Sequence, residues 1–285
     1  MTGRRSDDRE TGQYMKIAVT GARGFVGRHV IAELARSDHE VVATERPGVA
    51  RSRPAAANVR WVALDIANPP ADCFAALDRP DVLLHLAWDG LPNYRSLHHF
   101  ETELPRQYNF LSNVICSGLP ALVTVGTCFE YGQQSGALAA NLETRPANPY
   151  GFAKDVLRKK LQYLKAVHPC KLTWARLFYM YGDGQPATSL FAMLKAAVAA
   201  GHTEFPMSGG EQLRDYLPVT EVARRLADLA VTPGDFGPIN VCSGRPISVR
   251  RLVETWIDRN GWKIEPKYGE LPYPDYEPMA FWGSC

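Results

Sequence analysis

The stretch Lys16-Ile-Ala-Val-Thr20-Gly21-Ala-Arg23-Gly24-Phe25-Val26-Gly27-Arg28-His29 decides how the rest of the chain is read. Ile17, Ala18 and Val19 make a short apolar run of the kind that fills a parallel strand. Gly21, Gly24 and Gly27 follow at a spacing of three. The first glycine permits a tight turn, the second lets backbone approach a pyrophosphate, and the third lets a helix pack closely on the strand. An anion there would meet free N–H groups and the positive end of a helix dipole. The spacing is Gly-x-x-Gly-x-x-Gly rather than Gly-x-Gly-x-x-Gly, so the loop alone is a weak mark of a dinucleotide binder.

Working outward, 285 residues leave room for one large or two modest domains. A hydrophobic fraction of 46% supports a sizeable core. The net charge is +2 with acids and bases mixed, which gives no reason to expect nucleic acid as a partner. Cys73, Cys116, Cys128, Cys170, Cys242 and Cys285 show no Cys-x-x-Cys spacing. They read as reduced thiols of a cytoplasmic protein, with no metal site expected. No apolar run reaches membrane-spanning length, so no membrane partner is expected. The polar N-terminus has no apolar signal core, and residues 1–14 read as a flexible extension.

Val26, Val30, Ile31 and Leu34 give helical spacing after the glycine loop. Glu40 to Arg46 reads as a second strand, ending about twenty residues past the loop, where a dinucleotide fold chooses its cofactor. Glu45 suits the two ribose hydroxyls of NAD; Arg46, and Arg23 in the loop, suit the extra phosphate of NADP. The two signals conflict, and solvated surface charge is the alternative for each. Arg51 to Ala57 reads as a Pro/Ala-rich loop. Val59 to Asp65, Val82 to Ala87, Ala121 to Thr127 and Leu172 to Phe178 read as further strands, separated by helical stretches. That alternation predicts a parallel sheet with helices on both faces. His85, inside an apolar run, reads as a core histidine. Trp88 to Phe100 is loop-like and aromatic, fit to line a substrate mouth, and a helix is expected from about Glu101 to Ser117. Later helices are expected over Phe191–Ala200, Thr220–Ala230 and Val249–Asn260, with a short strand at Pro238–Val241.

Pro146-Ala-Asn148-Pro149-Tyr150-Gly151-Phe152-Ala153-Lys154 opens a helix with an apolar side of Phe152, Val156, Leu157, Leu161 and Leu164. Tyr150 and Lys154 are four apart and share a helix face. A phenol normally keeps its proton until about pH 10. A nearby ammonium and an oxidised nicotinamide both favour the phenolate, so a lowered pKa is expected. That would make Tyr150 an acid or base near neutral pH.

Taken together, these stretches resemble the extended short-chain dehydrogenase/reductase family, in its branch of nucleotide-sugar epimerases, dehydratases and reductases. The matching marks are Thr20 to Gly27, His85-Leu86-Ala87, Thr127 with Tyr131-Gly132, Tyr150-Gly-Phe-Ala-Lys154, Arg176 before Tyr181-Gly182, and Arg214-Asp215-Tyr216. They fall in the family's order from residue 15 to about 260. The resemblance implies an α/β, Rossmann-like doubly wound parallel sheet with a smaller C-terminal substrate-binding lobe. Residues 15–178, with 215–242 returning, would bind NAD(H) or NADP(H); 179–214 and 243–285 would form the lobe. It implies Thr127, Tyr150 and Lys154 as catalytic residues. Gly21, Arg23, Gly24, Phe25, Val26, Gly27, Glu45, Arg46, Asp65, Ile66, Leu86, Ala87 and Lys154 would contact the cofactor, with Asp65 and Ile66 on its adenine side. Trp88, Thr127, Cys128, Tyr150, Tyr179 and Arg214 would face a nucleotide sugar, Arg214 at its diphosphate. An internal salt bridge behind the site is the alternative for Arg176.

Departures from the family narrow the reaction. Its 4,6-dehydratases carry Asp-Glu directly after the Thr; here Cys128 and Phe129 stand there and cannot do that acid–base work. Cys128 reads as a packing residue. Tyr179 stands where the family often has Asn. The chain stops early by the family's pattern, at Phe281 to Cys285, which implies a C-terminal lobe that is short or truncated. The resemblance then implies reduction of a nucleotide-linked 4-keto-6-deoxyhexose by NAD(P)H. A nucleotide-sugar epimerase is the alternative, and a non-catalytic NADP-sensing protein a third. A homodimer is expected, through the helices starting near Glu101 and Tyr150.

Overall fold

The computed structural model describes residues 14–48, 56–273 and 277–285. The expected extension over 1–14, apart from Tyr14, and most of the Pro/Ala-rich loop lie outside them. The chain runs β1 (Lys16–Thr20), α1 (Phe25–Leu34), β2 (Glu40–Glu45), β3 (Val59–Ala63), α2 (Cys73–Ala76) and β4 (Val82–His85). A π-helical turn (His99–Glu103) leads into α3 (Leu104–Cys116), β5 (Ala121–Thr127), a 3₁₀ turn (Cys128–Tyr131), β6 (Gly136–Leu138), α4 (Pro149–Val167), β7 (Lys171–Leu177) and β8 (Tyr179–Tyr181). Then come α5 (Leu190–Ala199), β9 (Glu204–Met207), β10 (Leu213–Arg214), β11 (Tyr216–Pro218), α6 (Val219–Val231) and β12 (Gly237–Val241). The chain closes with β13 (Ile247–Ser248), α7 (Val249–Asn260), β14 (Glu265–Tyr268) and β15 (Phe281–Gly283).

Seven strands form one parallel sheet in the order β12-β7-β5-β4-β1-β2-β3. Both faces are covered, which explains why its strands read as continuous apolar runs. Ile17 and Val19 of β1 face α1 and α6, packing with Val30, Ile31, Leu34, Val222 and Leu226. Ala18, pointing the other way, belongs to the layer of α3 and α4 with Leu111, Val114, Leu157, Leu161 and Trp174. This is the expected Rossmann-like α/β fold. The strand order reverses between β1 and β4, and ligands bind beyond the carboxyl ends of strands at such a switch point.

A separate apolar cluster gathers Leu194, Phe205, Met207, Val253, Trp256 and Ile264 from α5, β9, α7 and the approach to β14. Short two-stranded pairings tie the later chain together: β8 with β11, β9 with β14, β10 with β13 and β6 with β15.

One expectation fails here. Cys242 and Cys285 are not free thiols but are bonded to each other. Pairing of β15 with β6 brings the chain end over β12, where the Asn240 amide also donates to the Ser284 carbonyl at 3.0 Å. Cys73, Cys116, Cys128 and Cys170 are free, as read from the sequence.

Candidate active site

A cavity of about 830 Å³ opens beyond the carboxyl ends of the sheet strands. Gly21, Gly24, Phe25, Val26 and Gly27 line one end of it. The glycines are required by space. A Cβ on Gly27 would lie 2.1 Å from the Gly21 carbonyl oxygen, and one on Gly21, whose φ is +70°, would lie 2.7 Å from the Ala87 nitrogen. The loop is thus pressed against the chain leaving β4, with Leu86 also on the cavity wall. Gly24 caps α1 with no side-chain hydrogen bond, so the first-turn N–H groups of α1 face the cavity end without a side-chain cap. That cradle fits a dinucleotide diphosphate.

Thr127, Tyr150 and Lys154 line the same cavity. Thr127 ends β5. Asn148 starts α4, its side chain accepting from the Gly151 N–H at 2.8 Å, with Pro149 in the first turn. A Cβ on Gly151 would lie 2.5 Å from the Phe129 carbonyl oxygen, so this glycine lets α4 close on the turn after β5. Tyr150 is 8% exposed and sits among Trp88, Tyr94, His99 and Phe129, with ring centroids 5.2 to 6.3 Å away. His99 is held by two bonds. Its Nδ1 accepts from the Trp88 indole at 3.1 Å, and its Nε2 lies 2.8 Å from the Asn93 carbonyl. Burial lowers its pKa, which matches a neutral ring donating from Nε2.

Lys154 is 1% exposed. Its Nζ donates to the Val125 carbonyl at 3.1 Å and lies 3.9 Å from the centroid of the Trp88 ring. Burial pushes the ammonium down to about 7, against the pull of Glu130 and Glu103. The same cause acts in the opposite direction on Tyr150. Burial raises its phenol, helped by Tyr94, Glu130 and Cys128, while Thr127 works against the rise. In the chain itself the expected lowering of the phenol pKa is therefore absent: desolvation raises it and the charges near it add to the rise.

Behind the cavity lies a buried charge network that the sequence reading missed. Glu130 is fully buried. Its Oε1 accepts from the Thr127 N–H and the Trp174 indole, each at 2.9 Å, and its Oε2 accepts from Arg176 Nε at 2.6 Å. Thr127 Oγ1 in turn accepts from the Phe129 N–H at 3.3 Å. The signal was present as Thr127-x-x-Glu130, a capping box that fixes how β5 turns out of the sheet. Arg176 thus takes the internal-salt-bridge alternative. His85 is a core histidine, bonded through Nδ1 to Thr20 Oγ1 at 2.8 Å.

Other expected residues fall at different distances from the cavity. Trp88, Cys128 and Tyr179 line it; Arg23, Glu45, Arg46, Asp65, Ile66, Ala87 and Arg214 are outside its lining. Arg23 bonds Glu45 through Nε at 2.9 Å and Nη2 at 2.5 Å, and lies over the Trp61 ring. The two conflicting cofactor signals therefore neutralise each other as one ion pair at the end of β2. Arg46 is exposed and reaches Asp89 at 3.4 Å. Asp65 caps its own turn, accepting from the Ala67 N–H and the Asn68 amide at 2.9 Å each. Arg214 is buried and ion-paired with Glu277, which does line the cavity. Among the described residues no group of three or more His, Cys, Asp or Glu could hold a metal ion, and no helix is long and apolar enough to cross a membrane.

A model of the NAD-dependent epimerase/dehydratase family matches residues 17–242, and the chain belongs to that family. It is an NAD(P)-dependent oxidoreductase of the extended short-chain dehydrogenase/reductase type. A dTDP-6-deoxy-L-talose 4-dehydrogenase (NAD(+)) from Aggregatibacter actinomycetemcomitans is 31% identical over 271 residues, covering 95% of this chain and 100% of the relative. A dTDP-6-deoxy-L-talose 4-dehydrogenase (NAD(P)(+)) from Kitasatospora kifunensis is 31% identical over 276 residues, covering 91% and 83%. MoeE5, solved in complex with UDP-glucuronic acid and NAD, superposes with a TM-score of 0.77 at 25% identity over 94% of this chain and 89% of that one.

Proposed function

We propose that the protein reduces the C4 ketone of a nucleotide-linked 4-keto-6-deoxyhexose, in deoxysugar biosynthesis. The observation that carries this reading is the meeting of Thr127, Tyr150 and Lys154 in one cavity whose far end is the glycine cradle. A bound nicotinamide dinucleotide would supply the hydride. Gly21, Gly24 and Gly27 would bring backbone N–H groups to its diphosphate, and Lys154 Nζ would take its ribose hydroxyls in place of the Val125 carbonyl. Tyr150, held protonated by burial, starts in the state a general acid needs and would give its proton to the sugar oxygen. The Thr127 hydroxyl would hold that oxygen, and the wall of Trp88, Tyr94 and Phe129 would keep water away. Cys128 and Phe129 carry no carboxylate, and burial raises the Cys128 thiol, so neither supports water elimination. Two relatives named as 4-dehydrogenases of a dTDP-6-deoxyhexose act at the same carbon. We assign 15–178 and 215–242 to cofactor binding, and 179–214 and 243–285 to the sugar side. We also assign a cytoplasmic homodimer through α3 and α4.

An epimerase would use the same residues, and a UDP-glucose 4-epimerase from Azospirillum brasilense is 24% identical to the chain. The two are separated by mixing the protein with a dTDP-4-keto-6-deoxyhexose and following NADH and NADPH absorbance. Stoichiometric loss of reduced cofactor supports the reductase. Unchanged absorbance, with C4-epimerised UDP- or dTDP-hexose detected by NMR, replaces it with the epimerase.

A further inference from the structure

The turn that opens α3 holds a histidine with no part in the chemistry above. His99 is fully buried and begins the π-helical turn His99–Glu103, a rare geometry often found at functional sites. One arrangement of its ring protons fits its two partners. The Asn93 carbonyl can only accept, so Nε2 carries the proton and donates to it at 2.8 Å. That leaves Nδ1 as the acceptor for the Trp88 indole N–H at 3.1 Å. The other end of the same turn holds the next residue of the same loop: Glu103 Oε1 accepts from the Asp89 N–H at 3.1 Å. Trp88 is thereby fixed between the two side chains that share the α4 face. Its ring centroid lies 3.9 Å from Lys154 Nζ and 6.0 Å from the Tyr150 ring, to which it stands edge-on, and its other neighbour is the His99 ring, stacked at 6.3 Å.

We infer that His99 is a positioning residue for the reduction: its neutral ring holds the Trp88 indole against the Lys154 ammonium and beside Tyr150, and a proton gained by the ring releases the indole. The effect on turnover rests on the reductase reading above; the effect on the indole does not. Protonation turns Nδ1 into a donor that faces the Trp88 N–H, so the bond is lost and two donors oppose each other away from water. Once the indole can rotate, the ammonium loses the ring face that offsets part of its desolvation, and Tyr150 loses one side of its apolar wall. Lys154, Tyr150, His98 and Glu103 are the titratable groups that face His99. Acid gives Lys154 the proton it needs to grip a ribose, and burial keeps Tyr150 protonated, so neither makes turnover fall at low pH. His98 and Glu103 remain when His99 is replaced, which separates their titration from its own. Burial lowers the His99 pKa, so its change falls below the usual imidazole value of about 6.5.

The test follows two signals as pH is lowered: turnover of a dTDP-4-keto-6-deoxyhexose with NADH, and tryptophan emission of the cofactor-free protein. Wild-type turnover is expected to fall on acidification below about pH 6.5. His99→Asn places an amide oxygen where Nδ1 stood, which accepts from the indole at every pH. It should recover turnover to within about fivefold of wild type at about pH 8 and show no acid fall. His99→Gln keeps a donor for the Asn93 carbonyl but no acceptor for the indole, and His99→Leu keeps neither. Both should lose at least about tenfold in turnover at about pH 8. A protonated imidazole quenches the indole beside it, so wild-type emission should drop over the same acid interval, and the drop should vanish in Trp88→Phe and in His99→Asn. Equal turnover in His99→Asn and His99→Gln, wild-type turnover in His99→Leu, or an acid fall that persists in His99→Asn overturns the inference. If wild type consumes no NADH, the proposed function falls and the role in turnover with it. The emission titration still decides whether His99 holds Trp88, and an unchanged drop in His99→Asn overturns that as well.

Discussion

Tyr150 and Lys154 share a helix face and a single physical influence, removal from water, which drives their proton affinities in opposite directions. Burial keeps the phenol protonated and strips affinity from the ammonium, so the reductive direction begins with the proton where it is needed. Tyr150→Phe is expected to lower turnover by about a hundredfold to ten-thousandfold while leaving NADH binding within about twofold, measured by stopped-flow and fluorescence titration. Lys154 gives a pH signature. Its folded value of about 7 lies below the ordinary 10.5 of the unfolded chain. The unfolded chain holds a proton that the folded chain has released, so stability rises with pH above about 7 and is lost as pH falls through that value. Buried Cys73, Cys128 and Cys170, whose thiols burial raises, act in the opposite sense above about pH 8.5. Between about pH 7 and 8.5, the melting temperature of the cofactor-free protein is therefore expected to climb, and to climb less in Lys154→Met. Equal slopes in the two proteins would contradict this assignment. At this scale the sequence was legible for residues whose role depends on neighbours in the chain, such as Tyr150 with Lys154. It was silent on Glu277, whose partners Tyr179 and Arg214 are 98 and 63 residues away.

In the proposed function the glycine turn after β1 is the element that holds the cofactor diphosphate. Its three glycines serve three contacts, and Gly27 is the most constrained, since any Cβ collides with the Gly21 carbonyl. Gly27→Ala is expected to cost about 1–3 kcal/mol of stability by forcing α1 off β1. NADH affinity should fall by at least about tenfold along with it, as the first-turn N–H groups move. Thermal melts and a fluorescence titration check both. Long apolar runs bounded by turns gave the parallel strands to within a residue or two, because a strand buried on both faces has to be apolar throughout. The two- and three-residue strands β6, β8, β10, β11, β13 and β15 were not legible. Each exists through a partner far along the chain rather than through its own pattern. The Cys242–Cys285 bond follows from one such pairing, and spacing along the chain held no trace of it.

For the whole molecule, the doubly wound sheet that the alternating pattern predicted brings the glycine turn, Thr127, Tyr150 and Lys154 to one cavity beyond the carboxyl ends of its strands. The outer face of α4 leaves Phe152, Tyr163 and Val167 exposed, all on one side of the helix that carries Tyr150 and Lys154. If α3 and α4 pair across a two-fold axis, light scattering should give twice the single-chain mass, and Phe152→Asp should bring it back to one chain. A single-chain mass for the wild type would remove the dimer.

The central claim is that a hydride reaches C4 of the sugar as Tyr150 supplies the proton. The most direct measurement mixes the protein with NADH deuterated at the transferred position and a dTDP-4-keto-6-deoxyhexose, and locates deuterium by NMR. The account predicts one deuterium at C4 of the product and none when Tyr150 is replaced by Phe. A product formed without deuterium, or deuterium at another carbon, would contradict it.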